Sequence, residues 1–139
     1  MDKIDYREIA KSHIERHEGR RRLPYKDSRG ILTIGIGRNL LKGLSDDEID
    51  HLFMNDLLEA EVAARKLVYV FDQLSENRKA VILNLAFNLG ETRLRGFKKA
   101  LEAINSFNYE EAAKELENSL WYSQVGYRSK ELIRIWRGG

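Results

Sequence analysis

The sequence contains no cysteine, one proline and three histidines. Without cysteine there is no disulfide and no thiolate nucleophile, so the fold must rely on its core. The histidines make no HExxH motif, so a zinc site is not expected, and the lack of a GxGxxG or P-loop pattern leaves nothing that points to a nucleotide. No cofactor is expected. No stretch approaches the ~20 apolar residues needed to span a membrane, and the N-terminus shows no basic segment followed by an apolar run. Charge of either sign is also in little excess. Lys and Arg number 24 against 22 Asp and Glu, a net +2, which is no nucleic-acid signature by itself.

What is present fits one folded unit. A chain of 139 residues has single-domain length, and roughly two-thirds of its unfolded surface can be buried. Hydrophobic content of 42% with 33% charged residues describes a soluble globular chain rather than a disordered one. There is no repeat, low-complexity tract or Pro/Gly/Ser linker. Pro24, the single proline, precedes a turn, where it stiffens the chain without breaking a helix.

Most of the chain reads as helix. Ile4, Ile9, Ala10, His13, Ile14 and His17 have helical spacing, with Asp2 or Asp5 as N-cap and Gly19 as the glycine beyond the last turn. Ser45-Asp46-Asp47-Glu48 is a capping box, followed at helical spacing by Ile49, Leu52, Phe53, Leu57, Ala60, Ala64 and Leu67. A further helix is expected from Ser75 to Leu89, before Gly90. Shorter ones follow near Leu94–Ile104, Tyr109–Leu120 (capped by Asn108 with Glu111) and Arg128–Trp136.

The chemistry concentrates between His17 and Gly37. Glu18 falls in a last helical turn, where the negative end of the helix dipole disfavours a carboxylate and favours its protonated form. A neighbouring arginine such as Arg20, Arg21 or Arg22 pushes the other way. Asp27 lies in a turn-like Asp-Ser-Arg-Gly stretch before a strand reaching Gly37. Period-two alternation puts Leu32, Ile34 and Ile36 on a core face. Thr33, Gly35 and Gly37 then share the other face, open to close approach by a ligand or another backbone. Singly, Glu18 also reads as a solvated surface residue and Asp27 as a turn former. Together, two carboxylates from different elements are the minimum equipment for acid–base cleavage of a glycosidic bond.

These motifs resemble a known family. Glu-Gly at 18–19, Tyr-Lys-Asp-x-x-Gly at 25–30 and Thr-Ile-Gly-Ile-Gly at 33–37 are similar to the active-site region of the phage-type lysozymes (glycoside hydrolase family 24), nearest to its T-even branch. The likeness continues through Leu85-Ala86-Phe87-Asn88-Leu89-Gly90-Glu91-Thr92, Gly96-Phe97 and Trp121-Tyr122-Ser123-Gln124 with Arg128, and so covers most of the chain. The resemblance implies an α+β, mostly helical fold with a small β-hairpin sheet in one lobe and a long helix linking to a helical lobe. It divides a single domain, 1–139, into a cleft lobe at about 12–57 and a helical lobe at about 58–139 that includes the N-terminal helix.

It also implies an endolysin-type muramidase cutting the β-1,4 bond between N-acetylmuramic acid and N-acetylglucosamine in peptidoglycan, with inversion. Glu18 would be the general acid, Asp27 the carboxylate that activates water, and Thr33 the hydroxyl that positions this water. Gly37, Phe87, Asn88 and Arg128 would contact substrate or line the cleft, Arg128 also pairing with the acid, although Phe87 by itself reads as core. The competing readings are a non-catalytic peptidoglycan-binding relative, a lytic transglycosylase and a small basic nucleic-acid module. Intact Glu18, Asp27 and Thr33 argue against the first, and aromatics at core spacings argue against the last.

The resemblance further implies a monomer made in the bacterial host cytoplasm without a signal, released by a membrane-permeabilising partner, and acting on the wall. The basic groups Arg20–Arg22 and Arg93, Arg95, Lys98 and Lys99 are either solvated faces or an attraction to that anionic wall. Departures from the family are visible. Arg38 replaces a histidine whose acidic partner is retained as Asp56, so an Arg38–Asp56 pair is expected. Glu115 replaces a substrate-side asparagine, the segment after Gly37 is shorter than in T-even members, and no closing helix follows Trp136.

Overall fold

In the computed structural model, which describes residues 5–139, the chain is α+β: helices dominate and one small antiparallel sheet lies near the N-terminus. Asp2 and Ile4 lie outside the described residues. The chain forms two compact units, one reaching Ile49 and the other running from Asp50 to Gly139.

The first unit opens with α1 (Tyr6–Glu18). Asp5 caps it, its carboxylate accepting from the Arg7 amide at 3.0 Å, and Gly19 closes it with φ +78°. That positive φ is cheap only for glycine, which is why the helix stops with Glu18 as its last residue. Strands β1 (Arg21–Lys26), β2 (Leu32–Gly35) and β3 (Arg38–Asn39) follow in spatial order β1-β2-β3. Tyr25 pairs with Thr33 and Thr33 with Asn39, which puts Thr33 in the middle of the sheet.

That placement corrects the expected face pattern. Thr33 is 4% exposed, whereas Leu32 and Ile36 are each 40% exposed. The strand ends at Gly35, and Gly35 and Gly37 take φ of +68° and +66°, so strict alternation fails there. Thr33 lies in the central strand with β1 and β3 on either side, and the glycines form a turn rather than an open face.

Helix α2 (Asp46–Leu67) begins at the anticipated capping box: Ser45 N donates to Glu48 Oε1 at 2.8 Å and Glu48 N to Ser45 Oγ at 3.2 Å. The second unit holds the rest of α2, α3 (Glu76–Arg95), α4 (Lys98–Asn105), α5 (Tyr109–Glu117), α6 (Leu120–Gln124) and α7 (Tyr127–Gly138). The first segment of α3 is capped by Ser75 and ends at Leu89, as expected: Gly90 is non-helical at φ +79° and ψ 166°, and a second segment runs on to Arg95. The expected helix to Leu120 ends at Glu117 and a separate short α6 follows, capped by Ser119. Asn108 precedes α5 but makes no side-chain cap bond; the preceding Phe107 has φ +60°.

The core of this unit gathers Ala64, Val68, Ile82, Leu85, Leu94, Ile104, Leu116, Trp121 and Trp136. Trp136 is fully enclosed, and its indole N–H donates to Tyr109 O at 2.9 Å, so its one polar atom is satisfied. Truncating such a residue to alanine costs about 3–5 kcal/mol. No described helix is long and apolar enough to cross a membrane.

Candidate active site

The first unit brings Asp27 and Thr33 together through one residue, Ile31. The Ile31 amide donates to Asp27 Oδ1 at 2.9 Å, while its carbonyl accepts from the Asp27 amide at 2.9 Å and from Thr33 Oγ1 at 2.8 Å. The Arg29 amide also donates to Asp27 Oδ1, at 2.8 Å, and the Gly30 amide to Asp27 O, at 2.9 Å. The turn-forming role of Asp27 is therefore real, and it consumes only one carboxylate oxygen. Among the described residues no donor reaches Oδ2.

These bonds also set the charge of Asp27. The Ile31 amide holds its carboxyl below the usual value; burial opposes it, and the Arg29 amide and guanidinium add smaller help in the same direction as Ile31. Asp27 is thus ionised at neutral pH, a fixed anion with one free oxygen.

Glu18 reaches the same unit from the end of α1 and is exposed. Its side chain lies against the turn between β2 and β3: an ideal Cβ added to Gly37 would sit 2.5 Å from Glu18 Oε2 and 2.9 Å from its Cγ. The sequence suggests that Gly37 leaves room for a ligand or another backbone. The space a side chain would take there is filled by Glu18 itself.

Beside Gly37, Arg38 pairs with Glu48 rather than with the expected Asp56. Its guanidinium is bidentate, Nη1 to Oε2 and Nη2 to Oε1 (the latter at 2.9 Å), and Nη2 also donates to Gly43 O at 2.8 Å. The capping box had already fixed Glu48 at the start of α2, close to the sheet, and this explains the choice of carboxylate. Hydrogen bonds from Ser45 N and then from Arg38 lower the Glu48 carboxyl from 4.5 to about 2.

The remaining candidates belong to the second unit. Phe87 is 43% exposed, not core, and meets Phe53 edge-on with ring centroids 5.7 Å apart. It lines a groove of about 340 Å³ with Phe53, Leu57, Ala80, Leu83, Asn84 and Arg128. Arg128 Nε and Nη2 both donate to Asn84 Oδ1, at 3.0 and 2.6 Å. Asn88 Oδ1 accepts from Trp121 Nε1 at 2.9 Å, so this asparagine supports a buried indole. Asp56 lines a second cavity, of about 640 Å³, with Glu59, Lys66 and Glu91 among its walls. Glu115 borders a further depression beside Lys98 and Lys99.

Sequence reasoning missed Ile31, Glu48 and Asn84 as site-building residues. Ile31 acts through its peptide and carries no side-chain signal. Glu48 was legible only as a cap. Asn84, a polar residue one helical turn before Asn88, was the one discernible hint.

The family model described as phage lysozyme matches residues 15–135. The chain is 28% identical to probable T4-type lysozyme 2 of Dictyostelium discoideum, over 93% of this chain and 94% of that one. It is 32% identical to the endolysin of Salmonella phage P22, over 73% of this chain and 74% of that protein. It is 30% identical to the peptidoglycan hydrolase gp36 of Pseudomonas phage phiKMV, over 79% of this chain but 13% of the much longer relative.

Proposed function

The chain belongs to the phage lysozyme family, and from that premise we propose an endolysin-type muramidase that hydrolyses the β-1,4 bond between N-acetylmuramic acid and N-acetylglucosamine in peptidoglycan. Glu18 gives its proton to the glycosidic oxygen as that oxygen leaves. A water attacks the anomeric carbon from the opposite face, and Asp27 takes the proton that this water sheds. Thr33 orients the water. The bond broken is carbon to bridging oxygen, the bond formed is carbon to water oxygen, and the two protons balance across the two carboxyl groups.

The observation that carries this reading is the division of labour within Asp27. Oδ1 is held by two peptide N–H groups and the carboxylate stays ionised at neutral pH, while Oδ2 makes no bond among the described residues. A turn former needs the first oxygen; a base needs the second. Thr33 shares the Ile31 carbonyl with the Asp27 amide, which couples the positions of hydroxyl and carboxylate.

In this reading Gly37 serves by yielding its side-chain space to Glu18, and Phe87, Asn88 and Arg128 help to bind the glycan strand. Phe87 contributes an exposed ring for a sugar face and Arg128 a guanidinium already oriented by Asn84. Asn88 acts by holding Trp121. The enzyme works as a monomer on the wall, after release from the cytoplasm with the aid of a membrane-permeabilising partner. No cofactor takes part.

Product analysis of digested peptidoglycan tests the chemistry. A reducing muramic acid end, with the anomer of the fresh product opposite to that in the substrate, is expected. A 1,6-anhydro end would mean that an internal hydroxyl, not water, attacks, and the role of Asp27 would be wrong. Glu18→Gln keeps the shape and lacks the proton donor. Its lytic rate should fall by about two orders of magnitude or more, with the fold retained.

A further inference from the structure

We propose that Arg38 and Glu48 are positioning residues for Glu18, acting through the Gly35–Gly37 turn. The proposal rests on Glu18 being the acid and adds what keeps it in place. The turn joins β2 to β3 between the paired residues Ile34 and Arg38, and two of its three residues have left-handed φ. Such a turn has no side chain at Gly37 to anchor it, and Gly37 is the position against which the Glu18 carboxylate rests. The acid therefore leans on backbone whose own position must be fixed from elsewhere.

Arg38 supplies that fixation at the next residue. Its two terminal nitrogens engage both oxygens of Glu48, and one of them also reaches Gly43 O. Glu48 is in turn held by reciprocal bonds with Ser45 at the start of α2. A continuous line of contacts thus runs from the Glu18 carboxylate through Gly37 and Arg38 to the first turn of a 22-residue helix. The bidentate geometry suits this task, because a planar guanidinium on a carboxylate fixes orientation as well as distance. A misplacement of about 1 Å at a reacting group can cost as much as a hundredfold in rate.

Arg38→Ala and Glu48→Gln separate this role from simple stability. Glutamine retains the acceptor that Ser45 N needs, since the capping box accepts Glu or Gln, but it offers Arg38 an amide in place of one oxygen. On soluble peptidoglycan fragments each variant should lower kcat about tenfold or more at unchanged KM, with the double variant no worse than the single ones. Arg38→Lys, which keeps charge and loses the fork, should fall between. In a Glu18→Gln background neither change should lower the residual rate further.

Unchanged kcat in folded Glu48→Gln protein, or a loss expressed in KM alone, would overturn the proposal even if Arg38→Ala proves unable to fold. Failure of the underlying reading shows separately, as normal turnover by Glu18→Gln alone. Further loss when Arg38→Ala is added to Glu18→Gln would place Arg38 in a role independent of the acid.

Discussion

The Glu18 carboxylate occupies the volume that a side chain on Gly37 would need, its Oε2 lying 2.5 Å and its Cδ 2.7 Å from an ideal Cβ there. Gly37 also has φ +66°. Gly37→Ala should therefore fail twice, by left-handed strain of about 1–2 kcal/mol and by displacing the acid. Gly35 is the control: its φ is +68°, but a Cβ there meets nothing within 4 Å. Thermal melting should show similar losses for Gly35→Ala and Gly37→Ala, while the lytic rate falls about tenfold further for Gly37→Ala.

In the proposed mechanism one oxygen of Asp27 serves the scaffold and the other the chemistry. Asp27→Asn retains an oxygen for the Arg29 and Ile31 amides and loses the negative charge. Lysis should drop by about a hundredfold or more with little change in melting temperature. Asp27→Ala should lose the activity and lower the melting temperature as well.

Thr33→Val keeps the β-branched shape at a buried central-strand position and removes the hydroxyl that donates to Ile31 O. The carbonyl still accepts from the Asp27 amide, so the expected destabilisation is only about 1 kcal/mol. The catalytic effect should be larger and should appear in kcat, because water positioning matters at the transition state. Steady-state kinetics beside a denaturant titration distinguishes the two.

The Glu48 carboxyl is lowered from 4.5 to about 2. A carboxyl depressed in the folded state stabilises it fully above its unfolded value and loses that contribution as pH falls through the folded one. The stability gap between wild type and Glu48→Gln should therefore be flat from neutrality to about pH 4.5 and shrink toward pH 2. Urea midpoints across that range measure it. The expected pairing through Asp56 would instead have made Asp56→Asn the sensitive variant.

Asn88→Ala removes the acceptor of the Trp121 indole N–H and leaves a buried donor unpaired. The expected cost is about 1–3 kcal/mol, seen in the melting temperature before any change in affinity for glycan fragments.

Features set by neighbours along the chain were legible in the sequence. Asp5 and Gly19 bracket α1, and Ser45 with Glu48 starts α2, because a cap is made between residues only a few positions apart. Glu18 and Asp27 read singly as a surface and a turn residue, and it is the helix-end position of Glu18, the residues beside Thr33 and the resemblance along the chain that nominate them as a pair. Features set across the fold were not legible. Thr33 is buried because Tyr25 and Asn39 flank it in the sheet, which alternation alone does not reveal. Arg38 takes Glu48, a residue already explained by its capping role, and Asn88 turns to an indole 33 residues away. Helix α6 has five residues, too few to show a period.

Ile31 holds Asp27 and Thr33 with its amide and carbonyl alone. An alanine scan would pass over it, since alanine at 31 presents the same two groups. Only removing the N–H, as proline would, strips an anchor from the Asp27 carboxylate. These two bonds place no demand on the identity of the side chain at 31, so the spacing between carboxylate and hydroxyl is set by a peptide rather than by any group that a comparison of residue identities would reveal.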